Sequence, residues 1–254
     1  MSSGPLSGKV ALITGGSKGI GASLSTRLAS LGATVVINYS SDSKAADDLV
    51  SKIKSSHPGS SALAIQADAS SISGADTMIQ TTIQNYKKLD ILICCAGILP
   101  MKDVHQTTES DFDKTFALNV KGPYFLVQKS IPHMATGGRI VLFSTTLCAA
   151  STVTPNYLLY NSTKGAIEQM TKVLAKDPQL AEKKITVNCA SPGPTATELF
   201  MKGKPEGVIK AIGNLNPYGR IGEPDEVADA ITMLVGEESR WVNGQVLRIN
   251  GGMA

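Results

Sequence analysis

Short apolar runs alternate with amphipathic stretches along the whole chain. Residues 10–13 (Val-Ala-Leu-Ile) are uninterruptedly apolar, the pattern of a strand buried on both faces. A glycine-rich turn follows. Ile20, Leu24, Leu28 and Leu31 then recur at helical spacing, and Gly32 stops the helix. Residues 34–37 (Thr-Val-Val-Ile) read as the next strand, and further strands are expected at 62–65, 91–93, 139–143, 185–187 and 246–249. Helical patterns fall between them at 45–53, 78–86, 112–134 and 227–235, the third bending near Gly122-Pro123. Pro224, tolerated in a first helical turn, precedes Asp225 and Glu226, whose charges suit a helix N-terminus. This β/α alternation without a linker predicts a single α/β domain over residues 1–254. It would be a doubly wound parallel sheet of about seven strands with helices on both faces. Ligands of such sheets bind beyond the carboxyl ends of the strands, where Gly15, Asp68, Gly97, Ser144 and Pro192 fall. Residues 195–217 break the rhythm with Met, Pro and Gly and are expected to form a mobile substrate lid.

Composition narrows the function classes. A chain of 254 residues with 42% hydrophobic positions can bury one large core. The formal charge of +3 is small and spread without a basic run, which argues against nucleic acid as a partner. No apolar run approaches the ~18 residues of a membrane span. Met1-Ser2-Ser3-Gly4-Pro5 lacks the basic and apolar regions of a secretory leader. Cys94, Cys95, Cys148 and Cys189 lie in or beside apolar segments; Cys94 and Cys189 read as strand residues and buried free thiols, so the expected setting is the reducing cytoplasm. His57, His105 and His133 show no ligand spacing, and no metal is expected.

Two motifs carry chemistry. Residues 9–21 (Lys-Val-Ala-Leu-Ile-Thr-Gly-Gly-Ser-Lys-Gly-Ile-Gly) place glycines 15, 19 and 21 between a strand and a helix. Glycine lets backbone approach a pyrophosphate, and the helix N-terminus offers free N–H groups and positive potential. This is the context of a dinucleotide site. Tyr160-Asn161-Ser162-Thr163-Lys164 sets a phenol and an ammonium four positions apart, on one face of a helix. A neighbouring ammonium favours the phenolate and would lower a pKa that is ordinarily ~10. That makes Tyr160 a candidate general acid for carbonyl reduction.

Gly15-xxx-Gly19-x-Gly21 together with Tyr160-xxx-Lys164 resembles the short-chain dehydrogenase/reductase family, whose members pair Thr-Gly-xxx-Gly-Ile-Gly with a downstream Tyr-xxx-Lys. The likeness extends over nearly the whole chain. Asp68, Asn119-Val120, Pro192-Gly193-xxx-Thr197, Asn216-Pro217 through Gly222-Glu223-Pro224, and Asn250-Gly251-Gly252 all match family landmarks in order. The resemblance implies a Rossmann-type fold and a nicotinamide cofactor. It implies cofactor contacts from Gly15, Ser17, Lys18, Gly19, Ile20, Gly21, Tyr39, Ser40, Ser41, Asp68, Ala69, Ala96, Gly97, Pro192, Gly193, Thr195 and Thr197, with Asp68 at the adenine. Tyr160 would protonate the carbonyl oxygen. Lys164 would bind the nicotinamide ribose and depress the tyrosine pKa, and Asn119 would anchor a relay water. It also implies a homo-oligomer, tetramer or dimer. Cofactor choice follows from charge: residues 38–41 (Asn-Tyr-Ser-Ser) offer no acid for a ribose 2′-hydroxyl before Asp42, and Lys18 can reach a 2′-phosphate, with Ser40 and Ser41 as further donors. NADP(H) is expected.

The chain departs from the family pattern twice. The hydroxyl that orients the substrate carbonyl has two candidates. Counting forward from Arg139 reaches Thr145, while the family's residue type is met by Ser144. Adjacent strand residues point to opposite faces, so only one can serve. Tyr157 stands at the family's interval from Ser144 but lacks a lysine four residues on; it is expected in the pocket with Leu99, Met101, Thr146, Leu147, Cys148, Pro194, Leu199 and Phe200. Second, Cys94-Cys95 replaces the family's usual asparagine pair. The expected activity is NADPH-dependent reduction of a β-ketoacyl, polyketide-like or aromatic ketone to its alcohol. The alternative is a catalytically weak NADP(H)-binding scaffold on the same fold.

Overall fold

A computed structural model describes residues 4–57 and 59–254; the leader reading for Met1 to Ser3 lies outside them. The strands are β1 (Val10–Thr14), β2 (Thr34–Tyr39), β3 (Ala62–Gln66), β4 (Leu89–Cys94), β5 (Met134–Phe143), β6 (Thr186–Pro192) and β7 (Val246–Ile249). The helices are α1 (Gly19–Ser30), α2 (Ser43–Ser56), α3 (Ile72–Tyr86), α4 (Glu109–Phe116), α5 (Gly122–Ser130), α6 (Leu158–Leu174), α7 (Pro178–Glu182), α8 (Glu198–Met201), α9 (Glu206–Gly213) and α10 (Pro224–Val235). The strands form one parallel sheet in the order β3-β2-β1-β4-β5-β6-β7, the expected Rossmann-type arrangement. The order reverses between β1 and β4, which opens a crevice at their carboxyl ends.

Two apolar layers sandwich the sheet, because each central strand buries alternate residues on opposite faces. Ala11, Ile13, Ile91 and Ile93 pack on one side with Leu24, Leu28 and Ile231; Leu12, Leu92, Ile140 and Val187 pack on the other with Met78, Leu126 and Ile167.

The expected helix at 112–134 is three pieces. A π-helical turn at Ala117–Lys121 separates α4 from α5, so the bend lies just before Gly122-Pro123. Gly122 is required there: a Cβ would stand 2.0 Å from the Ala69 carbonyl oxygen. Pro132 has no N–H to continue the helix; a short 3₁₀ turn closes it, and Met134 opens β5 opposite Leu89. β6 runs on to Pro192, past the expected stop at residue 187. Its buried Asn188 is satisfied laterally, donating to the Val242 carbonyl and accepting from the Gln245 N–H, so a polar residue can continue the strand.

Candidate active site

The glycine turn is built by exclusion of side chains. Gly15 has φ +60°, and a Cβ on it would meet Ala96 Cα at 3.1 Å. On Gly21 a Cβ would lie 2.1 Å from the Gly15 carbonyl oxygen. The backbone of β1 can therefore fold directly over the first turn of α1. The Gly16 N–H donates to the Asn38 carbonyl, and the Asn38 side chain accepts from Gly15 while donating to Ala67. Buried Asn38 thus ties β1, β2 and β3 together beneath the turn. Sequence reading passed over it, although a polar residue closing the apolar run of β2 was a signal. Helix α1 starts without a side-chain cap, leaving its first N–H groups toward the turn.

The turn forms one wall of a cavity of about 960 Å³. Gly15, Lys18, Gly19, Ile20, Gly21, Ala96 and Gly97 line it, with Pro192, Gly193, Thr195 and Thr197 from the end of β6. Ser144, Thr145, Tyr160 and Lys164 line it from β5 and α6. Ser17, Tyr39, Ser40, Ser41, Asp68, Ala69 and Asn119 lie outside this wall. The Asp68 carboxylate accepts from the Ser70 N–H and hydroxyl, at the start of α3, and stays exposed. The size matches ligand clefts generally. A glycine-walled cradle, an uncapped helix start and a basic residue at the turn fit a dinucleotide. Of the expected pocket residues, Leu99, Met101, Thr146, Leu147, Tyr157, Pro194, Leu199 and Phe200 do line the cavity. Cys148 does not; its thiol faces the Ser144 hydroxyl and the Asn161 carbonyl.

At the end of β5 the two candidate hydroxyls part. Ser144 donates to Glu168 Oε1 at 2.8 Å, with the Lys164 carbonyl at 3.4 Å, so its hydroxyl is bound to α6. Thr145 lines the cavity with Tyr160, and its hydroxyl accepts from the Leu147 N–H at 3.4 Å. Both residues follow the last residue of β5 and line the cavity, but only the Ser144 hydroxyl is held by a side chain of α6. Asn161 donates to the Leu147 carbonyl and Asn250 to the Thr146 hydroxyl, which fixes the segment that follows.

Lys164 is buried, and its ammonium donates to the Phe143 carbonyl at 2.8 Å while standing 5.6 Å from the Tyr160 ring centre. Burial pushes the Tyr160 phenol well above the usual tyrosine range. Burial pulls the Lys164 ammonium down. The expected lowering of the phenol by Lys164 is therefore reversed, because desolvation outweighs attraction to an ammonium already turned toward Phe143. The phenol is held protonated, the form a general acid needs.

Asn119, expected to anchor a relay water, has its side chain bound within the protein. Asn119 accepts from the Ile98 N–H (2.9 Å) and donates to the Ile98 carbonyl (3.0 Å) and the Thr163 hydroxyl (3.1 Å). Its side chain brackets the loop after β4 against the π turn and α6. Burial pushes the thiols of Cys94 and Cys95 up to about 12, which leaves them neutral and poorly nucleophilic. Lys18 is not free. Its ammonium is 2.7 Å from Asp42 and 3.6 Å from Glu198, so the acid set aside in the sequence reading folds back onto it. Asp42 is held there by capping α2 through the Ala45 N–H. Among the described residues no cluster of His, Cys, Asp and Glu suits a metal, and no helix is long and apolar enough to cross a membrane.

Comparisons with known proteins agree with this geometry. A family model described as enoyl-(acyl carrier protein) reductase matches residues 15–254. The short chain dehydrogenase/reductase dmxR18 of Cryptosporiopsis sp. is 36% identical, covering 98% of this chain and 97% of its own. Elsinochrome reductase 1 of Elsinoe fawcettii is 35% identical, over 99% and 96%. Among solved structures, a short chain dehydrogenase from Burkholderia cenocepacia J2315 in complex with NADP superposes with a TM-score of 0.91 at 33% identity, covering 98% of this chain and 99% of its own. The angucycline C-6 ketoreductase LanV with bound NADP reaches 0.91 at 31% identity, over 99% and 98%.

Proposed function

The chain belongs to the short-chain dehydrogenase/reductase family, and from that premise we propose that it is an NADPH-dependent reductase of hydrophobic aromatic ketones of polyketide type. One convergence carries the reading: a hydroxyl, a protonated phenol and a buried ammonium share a cavity with the glycine turn. The names of relatives that reduce elsinochrome or an angucycline support the substrate class.

When bound, NADPH supplies the hydride that reduces the carbonyl carbon. Gly15, Gly19 and Gly21 give its pyrophosphate room against backbone, and the first N–H groups of α1 meet the negative charge. Lys18, now paired with Asp42, would hold the 2′-phosphate, with Ser40 and Ser41 as further donors. Ser17, Tyr39, Asp68 and Ala69 serve the adenosine side. Ala96, Gly97, Pro192, Gly193, Thr195 and Thr197 serve the nicotinamide side. Thr145 orients the substrate carbonyl and donates toward the oxygen as charge builds on it. Tyr160 delivers its proton to that oxygen. Lys164 holds the ribose hydroxyls and stabilises the phenolate that remains. Asn119 acts by positioning the Gly97–Ile98 loop, and residues 195–217 close over the substrate as a mobile lid. The protein works in the cytoplasm as a homo-oligomer, tetramer or dimer.

The test is NADPH oxidation across a panel of aromatic and simple ketones. Wild type should turn over at least one aromatic ketone. Tyr160→Phe should lose roughly 10²–10⁴-fold in kcat while still binding NADPH. A wild-type enzyme that reduces no ketone would favour the non-catalytic scaffold, and full activity in Tyr160→Phe would remove the mechanism.

A further inference from the structure

The lid contributes a wall of apolar side chains interrupted by three charged ones, Glu198 and Lys202, which are exposed, and Lys204, which is half-buried. Leu199, Phe200, Val208, Ile212 and Leu215 line it, and so does Lys204. The Lys204 ammonium donates to the Phe200 carbonyl at 2.6 Å and lies 4.6 Å from the centre of the Phe200 ring. An ammonium has three donors, so two remain for another partner. Among the described residues no carboxylate pairs with it. The contrast with Lys18, in the same cavity, is direct: Lys18 is neutralised by Asp42 and Glu198, whereas Lys204 has only a carbonyl and a ring face. Partial burial lowers the Lys204 pKa, as expected for a cation short of a counter-charge. Holding such a charge against an apolar wall costs free energy that a bound anion would offset.

We propose that Lys204 is a specificity-determining residue that selects ketones carrying an anionic oxygen, a carboxylate or an ionised ring hydroxyl, on an otherwise apolar aromatic body. This rests on the ketone-reductase reading and adds the charge of the ligand to it. Lysine presents a compact point charge, so either kind of oxygen can pair with it. Lys202 also lines the cavity but is exposed, where water and salt screen its charge. If Lys204 merely capped the end of α8 through the Phe200 carbonyl, ligand charge would make no difference.

The experiment compares a neutral bicyclic aromatic ketone with its carboxylated and its hydroxylated counterparts. Binding is measured by calorimetry with the NADPH-loaded protein, and kcat/KM by NADPH oxidation. Wild type should prefer the carboxylated ketone by about tenfold in affinity, the scale of one charge-assisted contact. Lys204→Met should bring that ratio close to one, and Lys204→Arg should keep most of it. Between pH 6 and 9 the preference for the carboxylate should stay level, while that for the hydroxylated ketone should grow as its ring hydroxyl ionises. A ratio that Lys204→Met leaves unchanged, including an equal loss for all three ligands, overturns the assignment. Binding that follows the expected ratios without turnover would instead remove the reductase reading and leave the anion selectivity standing.

Discussion

The glycine turn after β1 is shaped by what its residues lack, whereas the segment from β5 to α6 is held by what its side chains bond. In the turn, an added Cβ at Gly21 would fall 2.1 Å from backbone oxygen, so the conformation admits almost no alternative residue. In the segment, Ser144 is bound to Glu168, Thr145 to the Leu147 N–H, and Asn161 to the Leu147 carbonyl. Other residues could make similar bonds. Backbone constraint therefore writes itself into sequence as an invariant residue type, while side-chain constraint depends on register and on partners far along the chain.

That difference predicts unequal tolerance. Gly21→Ala should have the largest effect: the chain must move apart at the turn, costing about 1–3 kcal/mol of stability and abolishing NADPH binding. Thermal unfolding together with NADPH fluorescence titration checks both, and an unshifted Tm with normal affinity would break the comparison. Lys18→Glu comes next. The fold should be kept, but the ratio of kcat/KM for NADPH over NADH should fall by about tenfold or more. An unchanged ratio would count against Lys18 as the phosphate contact. The smallest effect concerns an exposed ion pair. Arg220 holds Glu226 through two contacts of 2.6 and 2.8 Å, and the Glu226 carboxyl is lowered to about 2. A depressed folded-state pKa contributes stability that is present above the ordinary glutamate pKa of ~4.3 and is lost as pH falls from there through about 2. Glu226→Gln should therefore lower Tm slightly at pH 7 and progressively less as pH falls from about 4 through about 2, read by thermal melts in low salt.

The parallel sheet, its approximate strand count and the glycine turn were legible because they follow from local pattern: apolar runs of strand length, a helical repeat from Ile20 to Leu31, and glycines at the junction. Where pattern misled, tertiary structure had intervened. Met134 continued an apolar helical repeat yet belongs to β5, once Pro132 had ended the helix. Asn188 looked like a strand terminus but is paired from the side. Within the site, Tyr160 and Lys164 were found by spacing, whereas the sign of the phenol's pKa shift was not, since burial is invisible in a four-residue motif. The Lys18–Asp42 pair needs the fold of the β2–α2 junction, and Asn38 needs three strands side by side. Likewise register and residue type left Ser144 and Thr145 both open, and the bond tying Ser144 to Glu168, 24 residues away on α6, shows only in the fold.

The choice between those two hydroxyls is the centre of the account, and kcat/KM for a reducible ketone in Thr145→Val and Ser144→Ala, measured side by side, tests it most directly. Thr145→Val keeps the shape and removes the hydroxyl, and should cost roughly 10²–10³-fold, with Thr145→Ser retaining most activity. Ser144→Ala should cost less than about tenfold, since it loses only a neutral-donor bond to Glu168. A Thr145→Val enzyme near wild type beside a crippled Ser144→Ala enzyme would contradict it.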